Sequence, residues 1–501
     1  MGWQILLYFS WCSQGASSLA HAVETAVQAD LIFRNATIID GTGAPRRVGD
    51  VAVLGDRIAG IGDLSAWHAG REIDATKLIL APGFIDPHVH YDEAVLTSPL
   101  MDCAISQGCT TVINGNCGFS IAPLTVDTPL PMPLSAIVTG AVPRFATYAA
   151  YRDRLASEPA SVNSACLIGH STLRVNSMDR LDRAATDDEI VLMRHQLDRA
   201  LAEGAKGLST GPFYPSATHS TTAELMGVAA VLKDHGKLYV THMRDEGDHV
   251  IAALQETLEI GIECGCGVHV SHHKCAGLAN HGLSVQTLGM IDAARRHQDV
   301  GLDTTPYIAS ATMLNSGRQR QATKVIVTSS DPHPEMAGRD LDQIARLWGT
   351  DRDGAVDRLI PALGVFFIMD EADVQRILSH ELTMISSDGI ALGKHPHPRV
   401  WGTFPRVLSR YTRELGLFTL ETAIRKMTAL PAERFGLHQR GLVRPGYFAD
   451  LVLFDAATIQ DLATYETPTV PARGIDTVMV NGRIVWAEGA HTGQRPGQVL
   501  A

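Results

Sequence analysis

Between residues 78 and 389 the chain repeats one pattern: a short apolar run fit for a buried strand, then a longer stretch with helical spacing. The runs are Leu78 to His90, Thr110 to Asn116, Ala165 to Ser171, Ala205 to Thr210, Leu238 to Arg244, Val268 to Lys274, Gly301 to Tyr307 and Leu382 to Gly389. Eight such units are what a closed barrel of about 250 residues requires, so the expected class is α/β with a TIM-like (β/α)8 barrel. Two of the helical stretches have clear apolar stripes, Ile190, Met193, Leu197 and Leu201 in one and Ile251, Leu254, Leu258 and Ile262 in the other. The one break in rhythm is residues 313–380, between the seventh and eighth runs. There DLDQIARLWG and GAVDRLIPALG read as helices. A segment of that length is expected to be a small inserted domain over the barrel mouth, where it shapes or covers a pocket.

Both ends of the chain read as β. Leu31 to Gly62 is a series of β-branched strands cut by Gly-Thr-Gly and Gly-Asp, and Ala449 to Trp486 repeats the style, with Asn481-Gly482 as a two-residue hairpin signal. Neither end has enough strands to bury a face alone, so the two are expected to pair into one small β-sandwich. The expected division is 29–77 with 440–501 for the sandwich, 78–312 with 381–439 for the barrel, and 313–380 for the insertion. Residues 1–28 remain as an extension. Within it Trp3 to Cys12 is an apolar run of signal-peptide length and Ala20-His21-Ala22 a candidate cleavage site, but no Lys or Arg precedes the run. The expectation is a cytoplasmic protein, with export as the alternative, and no membrane association.

A formal charge of -12 leaves no basic footprint, which argues against nucleic acid as a partner. With 45% hydrophobic and 19% charged residues the chain is not a disordered one. Its eight cysteines are scattered, which is no disulfide framework. Only Cys264-Gly265-Cys266 is close-set, and it reads as small residues ending a helix, with a metal role as the lesser alternative.

The chemistry begins in LILAPGFIDPHVHYD. Side chains alternate along a strand, so His88 and His90 share a face, and two imidazoles on a rigid strand suit zinc. An HxH pair alone does not separate a metal site from two ordinary histidines. APGFIDPHVH carries more, because it resembles the first-strand signature of the amidohydrolase superfamily, whose members hold one or two metals at the mouth of a TIM-like barrel. That resemblance demands further ligands at later strand ends, and Cys117, His242, His272 and Asp388 stand at the ends of the second, fifth, sixth and eighth runs. Alternation favours His272 over His273, which should turn toward the helices.

NGNCG, with cysteine where many relatives use a carboxylated lysine, resembles the N-acyl-D-amino-acid deacylases (D-aminoacylases), as do GHSTLR, GLSTGPFYP, THMRDEG, SHHK, SSDG and HPHPRVWGTFPRVLSRY. Lys206 is a competing bridge candidate. The resemblance implies a tight zinc on Cys117, His242 and His272, and a second, weaker metal position on His88, His90 and Asp388 that shares Cys117. It implies that zinc polarises the scissile carbonyl and activates water, with Asp388 as the catalytic base. Lys274 and Arg399 would bind the carboxylate of a small N-acyl-D-amino acid, and Tyr214 would donate to the oxyanion. His170 is either a supporting or an ordinary buried histidine. Thr305 departs from the family, which has a tyrosine there that helps hold the carboxylate. A cyclic-amide hydrolase of the dihydropyrimidinase or hydantoinase type is the alternative activity, and a non-catalytic scaffold the remote one. Oligomeric state is left open.

Overall fold

The computed structural model describes residues 28–390 and 395–501; the apolar run at Trp3 and its candidate cleavage site lie outside them. Three parallel strands, Phe84–Asp86, Cys109–Asn114 and Asn163–Cys166, form one sheet. Six more, Ile168–Gly169, Gly207–Thr210, Leu238–Thr241, Val268–Val270, Val300–Thr304 and Thr383–Ile385, form a second parallel sheet with neighbours in chain order. Leu167 links the sheets on one side, its N–H donating to the Asn114 carbonyl at 2.9 Å. On the other side Val89 and Gly389 form a parallel bridge, and the His90 N–H donates to the Gly389 carbonyl at 2.8 Å. Each of the eight runs read from the sequence overlaps a parallel strand.

The first run divides. Ile79–Pro82 pairs with Leu451–Phe454 and with Gln28–Ile38, whereas only Phe84–Asp86 joins the parallel sheet. Gly83 is the joint: its N–H donates to the Asp450 carbonyl at 2.8 Å, and a Cβ there would lie 2.2 Å from the Thr110 side chain. The strands of both chain ends thus belong to one nine-stranded sheet. Asn481 and Gly482 turn the hairpin between Ile475–Val480 and Arg483–Ala487 at φ 46° and 74°, the left-handed pair such a two-residue turn needs.

The helix Asp187–Ala202 is started by a capping box, with Thr186 accepting from the Glu189 N–H and the Glu189 carboxylate from the Thr186 N–H. Met193, Leu197 and Leu201 are buried as expected, and Ile190 is half-buried. The stripe expected for the next long helix, Val250–Cys264, sits at the edge of its buried face, with Leu254 buried and Ile251 and Leu258 half-buried against the core. Its buried face is Val250, Ala253, Leu254, Thr257, Ile260, Gly261 and Cys264, and Ile262 is 54% exposed. Small residues decide this, since a Cβ at Gly261 would approach Val268 to 2.3 Å, and only that face lets the helix lie so close to the sheet. Cys264 closes the helix before left-handed Gly265, so the close-set cysteines are helix-end residues.

Within 313–380 helices occupy Leu341–Trp348 and Arg352–Leu359, but the second ends before Ile360, and Ala362 to Gly364, expected as part of it, begin a strand. The two helices accompany an antiparallel sheet that the sequence reading did not anticipate, in which Ala362–Phe367 lies between Ala309–Met313 and Lys324–Ser330. Among the described residues no helix is long and apolar enough to cross a membrane.

Candidate metal centre

Three of the candidate ligands stand in backbone conformations that L-residues rarely adopt. Cys117, His272 and Asp388 have φ of 53°, 34° and 46°, each just past the end of a parallel strand. Left-handed non-glycine residues of this kind cost of order 1–2 kcal/mol apiece and cluster where function requires a particular side-chain direction. At Cys117 the surroundings enforce the turn: Gly118 follows at φ 85°, and a Cβ on Gly211 would strike the Cys117 carbonyl oxygen at 2.2 Å. The expectation that His272 rather than His273 points inward holds, but the reason differs. The strand stops at Val270, and the left-handed turn, not the pleat, aims His272 at the centre while His273 Nε2 meets Thr287 Oγ1 at 2.8 Å on a covering helix.

All six candidate ligands are buried and converge. Cys117 Sγ lies 3.3 Å from His88 Nε2, 3.3 Å from His272 Nε2 and 3.8 Å from His242 Nδ1, and the last two nitrogens are 3.0 Å apart. A tetrahedral zinc with bonds of about 2.0–2.3 Å spaces its donors about 3.3–3.7 Å apart, and the triad's separations of 3.0, 3.3 and 3.8 Å bracket that range, within a few tenths of an ångström of it. Asp388 Oδ1 lies 3.6 Å from His88 Nε2 and 3.4 Å from His90 Nε2, which gives a second donor group next to the first. A thiolate with imidazoles selects zinc over magnesium or calcium.

The electrostatics favour an ionised Cys117, an ionised Asp388 and a neutral His242, whereas the neighbouring anions hold His88, His90 and His272 above the ordinary imidazole range against the effect of burial. Burial opposes a thiolate, yet His88 and His272 hold the Cys117 thiol well below its ordinary range. Burial likewise opposes the Asp388 carboxylate, but Arg399, 2.8 Å away at Oδ2, and His272 keep it ionised far below the usual range. Burial drives His242 down to about 4, which leaves a neutral imidazole able to ligate.

Tyr214 places its hydroxyl 3.3 Å from His242 Nδ1. Lys274 is buried beside His272 with its ammonium 2.6 Å from Glu246 Oε1. Phe119, Ile137, Tyr214, Met313 and Leu363 line a small cavity whose floor includes His90 and Asp388, so the inserted sheet forms one wall. Lys206 is elsewhere, its ammonium 3.5 Å from the Gly436 carbonyl, which removes it as a bridge. His170 is buried with Nε2 3.2 Å from Glu224, away from the ligand cluster. Thr305 lines a separate small cavity with Lys274 and Tyr307.

Two buried carboxylates were missed by sequence reasoning. Asp303 accepts from the His272 backbone N–H at 2.9 Å and from His269 Nε2 at 2.7 Å, and Glu246 contacts His272, His242, Lys274 and Arg318. The signal was available: Glu246 follows the strand Leu238–Thr241 in THMRDEG, and Asp303 lies near the end of the strand Val300–Thr304.

The profile of the amidohydrolase family matches residues 79–485. D-aminoacylase of Alcaligenes xylosoxydans xylosoxydans is 52% identical over 472 residues, covering 94% of this chain and 97% of that protein. A crystal structure of D-aminoacylase superimposes with a TM-score of 0.92 at 51% identity, over 94% of this chain and 99% of the other. N-acyl-D-glutamate deacylase from Bordetella bronchiseptica, solved with zinc and a phosphonate inhibitor that mimics the tetrahedral intermediate, gives 0.92 at 43% identity over the same shares. The chain belongs to the amidohydrolase family and, within it, to the N-acyl-D-amino-acid deacylases, or D-aminoacylases.

Proposed function

We propose that this protein is a zinc-dependent hydrolase that cleaves the amide bond of N-acyl-D-amino acids to a carboxylate and a free D-amino acid. The observation that carries this reading is the triad of Cys117, His242 and His272 beside an Asp388 held by Arg399. The chain would form a closed (β/α)8 barrel (78–312 with 381–439), a terminal β-sandwich (29–77 with 440–501) and an inserted domain (313–380). The single bridge between Val89 and Gly389 supports closure.

Cys117, His242 and His272 would hold the tight zinc, and His88, His90 and Asp388, sharing Cys117, a weaker second metal position. Zinc, when bound, supplies Lewis-acid polarisation of the amide carbonyl and lowers the pKa of water toward neutrality. Asp388 accepts the proton of the attacking water and returns it to the departing nitrogen. Arg399 holds Oδ2 of Asp388 at 2.8 Å and so leaves Oδ1 for this transfer. Tyr214 donates its phenolic hydrogen to the developing oxyanion. Lys274 and Arg399 provide the cations for the substrate carboxylate; Arg399 Nε has no partner among the described residues, so a donor remains for it.

Elemental analysis of the purified protein with assays on matched N-acetyl-D- and N-acetyl-L-amino acids, and on hydantoins, tests the reading. Zinc near one per chain with turnover confined to the D series is the expected result. Turnover of the cyclic substrates alone would replace it with the cyclic-amide reaction.

A further inference from the structure

The two imidazoles of the zinc triad share one carboxylate on their far side. His272 Nε2 and His242 Nδ1 face Cys117, while the opposite nitrogens, His272 Nδ1 and His242 Nε2, lie 3.0 Å and 3.5 Å from Glu246 Oε1 and Oε2 respectively. A neutral imidazole carries one N–H. If its lone pair serves a metal on the Cys117 side, its N–H must point the other way: for His272 that is toward Glu246 Oε1, and for His242, whose Nε2 has no hydrogen-bond partner among the described residues, Glu246 Oε2 is the carboxylate oxygen within reach. Lys274 Nζ stands 2.8 Å from His272 Nδ1, but a protonated Nδ1 accepts nothing, so Lys274 is left to donate to Glu246 Oε1 at 2.6 Å.

Glu246 is itself fixed from the inserted segment. Arg318 Nη2 donates to Glu246 Oε2 at 2.6 Å. The same guanidinium lies 4.7 Å over the Phe213 ring, and Phe213 in turn stacks on His242 with centroids 5.1 Å apart. Arg318 therefore braces His242 twice, through a carboxylate and through a ring. His242, Glu246 and His272 are close enough together to hold an ion themselves. The Lys274 and Arg318 cations already occupy that side of the carboxylate, which is a reason against a metal there.

We propose that Glu246 is a positioning residue that sets the tautomer and orientation of both imidazoles of the zinc triad, and that Arg318 makes the inserted segment part of the metal centre. This rests on the zinc reading given above.

The test is zinc affinity by chelator competition, with the visible spectrum of the cobalt-substituted protein, for wild type, Glu246→Gln and Arg318→Met. A glutamine amide can accept from only one of the two imidazoles and turns a donor on the other. Glu246→Gln should bind zinc about 10–100-fold more weakly, the usual loss when an outer carboxylate on a ligating histidine is removed, and should shift the cobalt bands. Arg318→Met should move both readouts the same way by less. Affinity and spectrum equal to wild type in a folded Glu246→Gln would overturn the proposal. If that variant does not fold, because two buried cations lose their carboxylate, Arg318→Met decides, and unchanged affinity there overturns it. Failure of wild type to bind zinc at all would instead overturn the underlying metal assignment, and the wild-type arm alone reveals it.

Discussion

Replacing Asp388 by asparagine separates a base from a ligand, because the two roles make different demands on one side chain. The amide keeps the shape but cannot take a proton. Asp388 is not part of the Cys117, His242 and His272 triad, so tight zinc should remain near the wild-type level. Turnover on an N-acetyl-D-amino acid should fall roughly 10²- to 10⁴-fold, the range for losing a positioned general base, or about 3 to 5 kcal/mol at the transition state. The variant also strips Arg399, which is 1% exposed, of its charge-assisted bond. That should lower stability by about 1.5–3 kcal/mol, so turnover must be read well below the unfolding midpoint. The assay is paired, zinc by elemental analysis and turnover on the same preparation. A variant that keeps its zinc and most of its turnover refutes the assignment of Asp388 as the base, and one that loses its zinc makes Asp388 chiefly a structural ligand.

Cys117→Ala leaves two histidine donors where three ligands stood and should strip the tight zinc and abolish turnover; elemental analysis showing wild-type zinc would refute the triad. His273→Asn should keep zinc and turnover while losing about 1 kcal/mol of stability with the Thr287 bond, measured by urea denaturation. Burial pushes the Lys426 ammonium down to about 7, where its Nζ donates to the Thr383 carbonyl at 3.2 Å. An unfolded lysine titrates near 10.4, so between these values the unfolded chain binds more protons and stability rises with pH, by at most about 1.4 kcal/mol per unit. Lys426→Met should flatten that rise between pH 7 and 10, and an unchanged slope would remove Lys426 as its source.

What the sequence disclosed was set by how local each signal is. Short runs of buried residues bounded by turn signals located the parallel strands, because both faces of such a strand are covered. The candidate ligands stood out since His, Cys and Asp at strand ends carry chemistry that little else explains. Strand Lys324–Ser330 and strand Ala362–Phe367 were overlooked because they pair only through a partner distant in sequence, and the neighbouring helical patterns dominated the reading. The face of Val250–Cys264 was read off its centre for a related reason: large apolar residues were weighted, whereas Ala253 and Gly261 permit the close approach. Glu246 and Asp303 escaped because a buried carboxylate declares itself only through the groups around it. Cys117, His272 and Asp388 could be singled out as candidates, but their left-handed turns depend on neighbours such as Gly211 that come from other strands.

The joint at Gly83 has a bearing on how the chain can be engineered. Strand Ile79–Pro82 belongs to the sheet built from both chain ends, and only Gly83 separates it from strand Phe84–Asp86, which runs into His88 and His90. Cutting away the first or last β segment to obtain a minimal catalytic fragment would remove the ladder that anchors Ile79–Pro82, and with it the foothold of the first two imidazoles. Any tag, fusion or permutation therefore belongs on the exposed turns of the end sheet, because the peripheral sheet and the first ligand strand are a single piece of backbone.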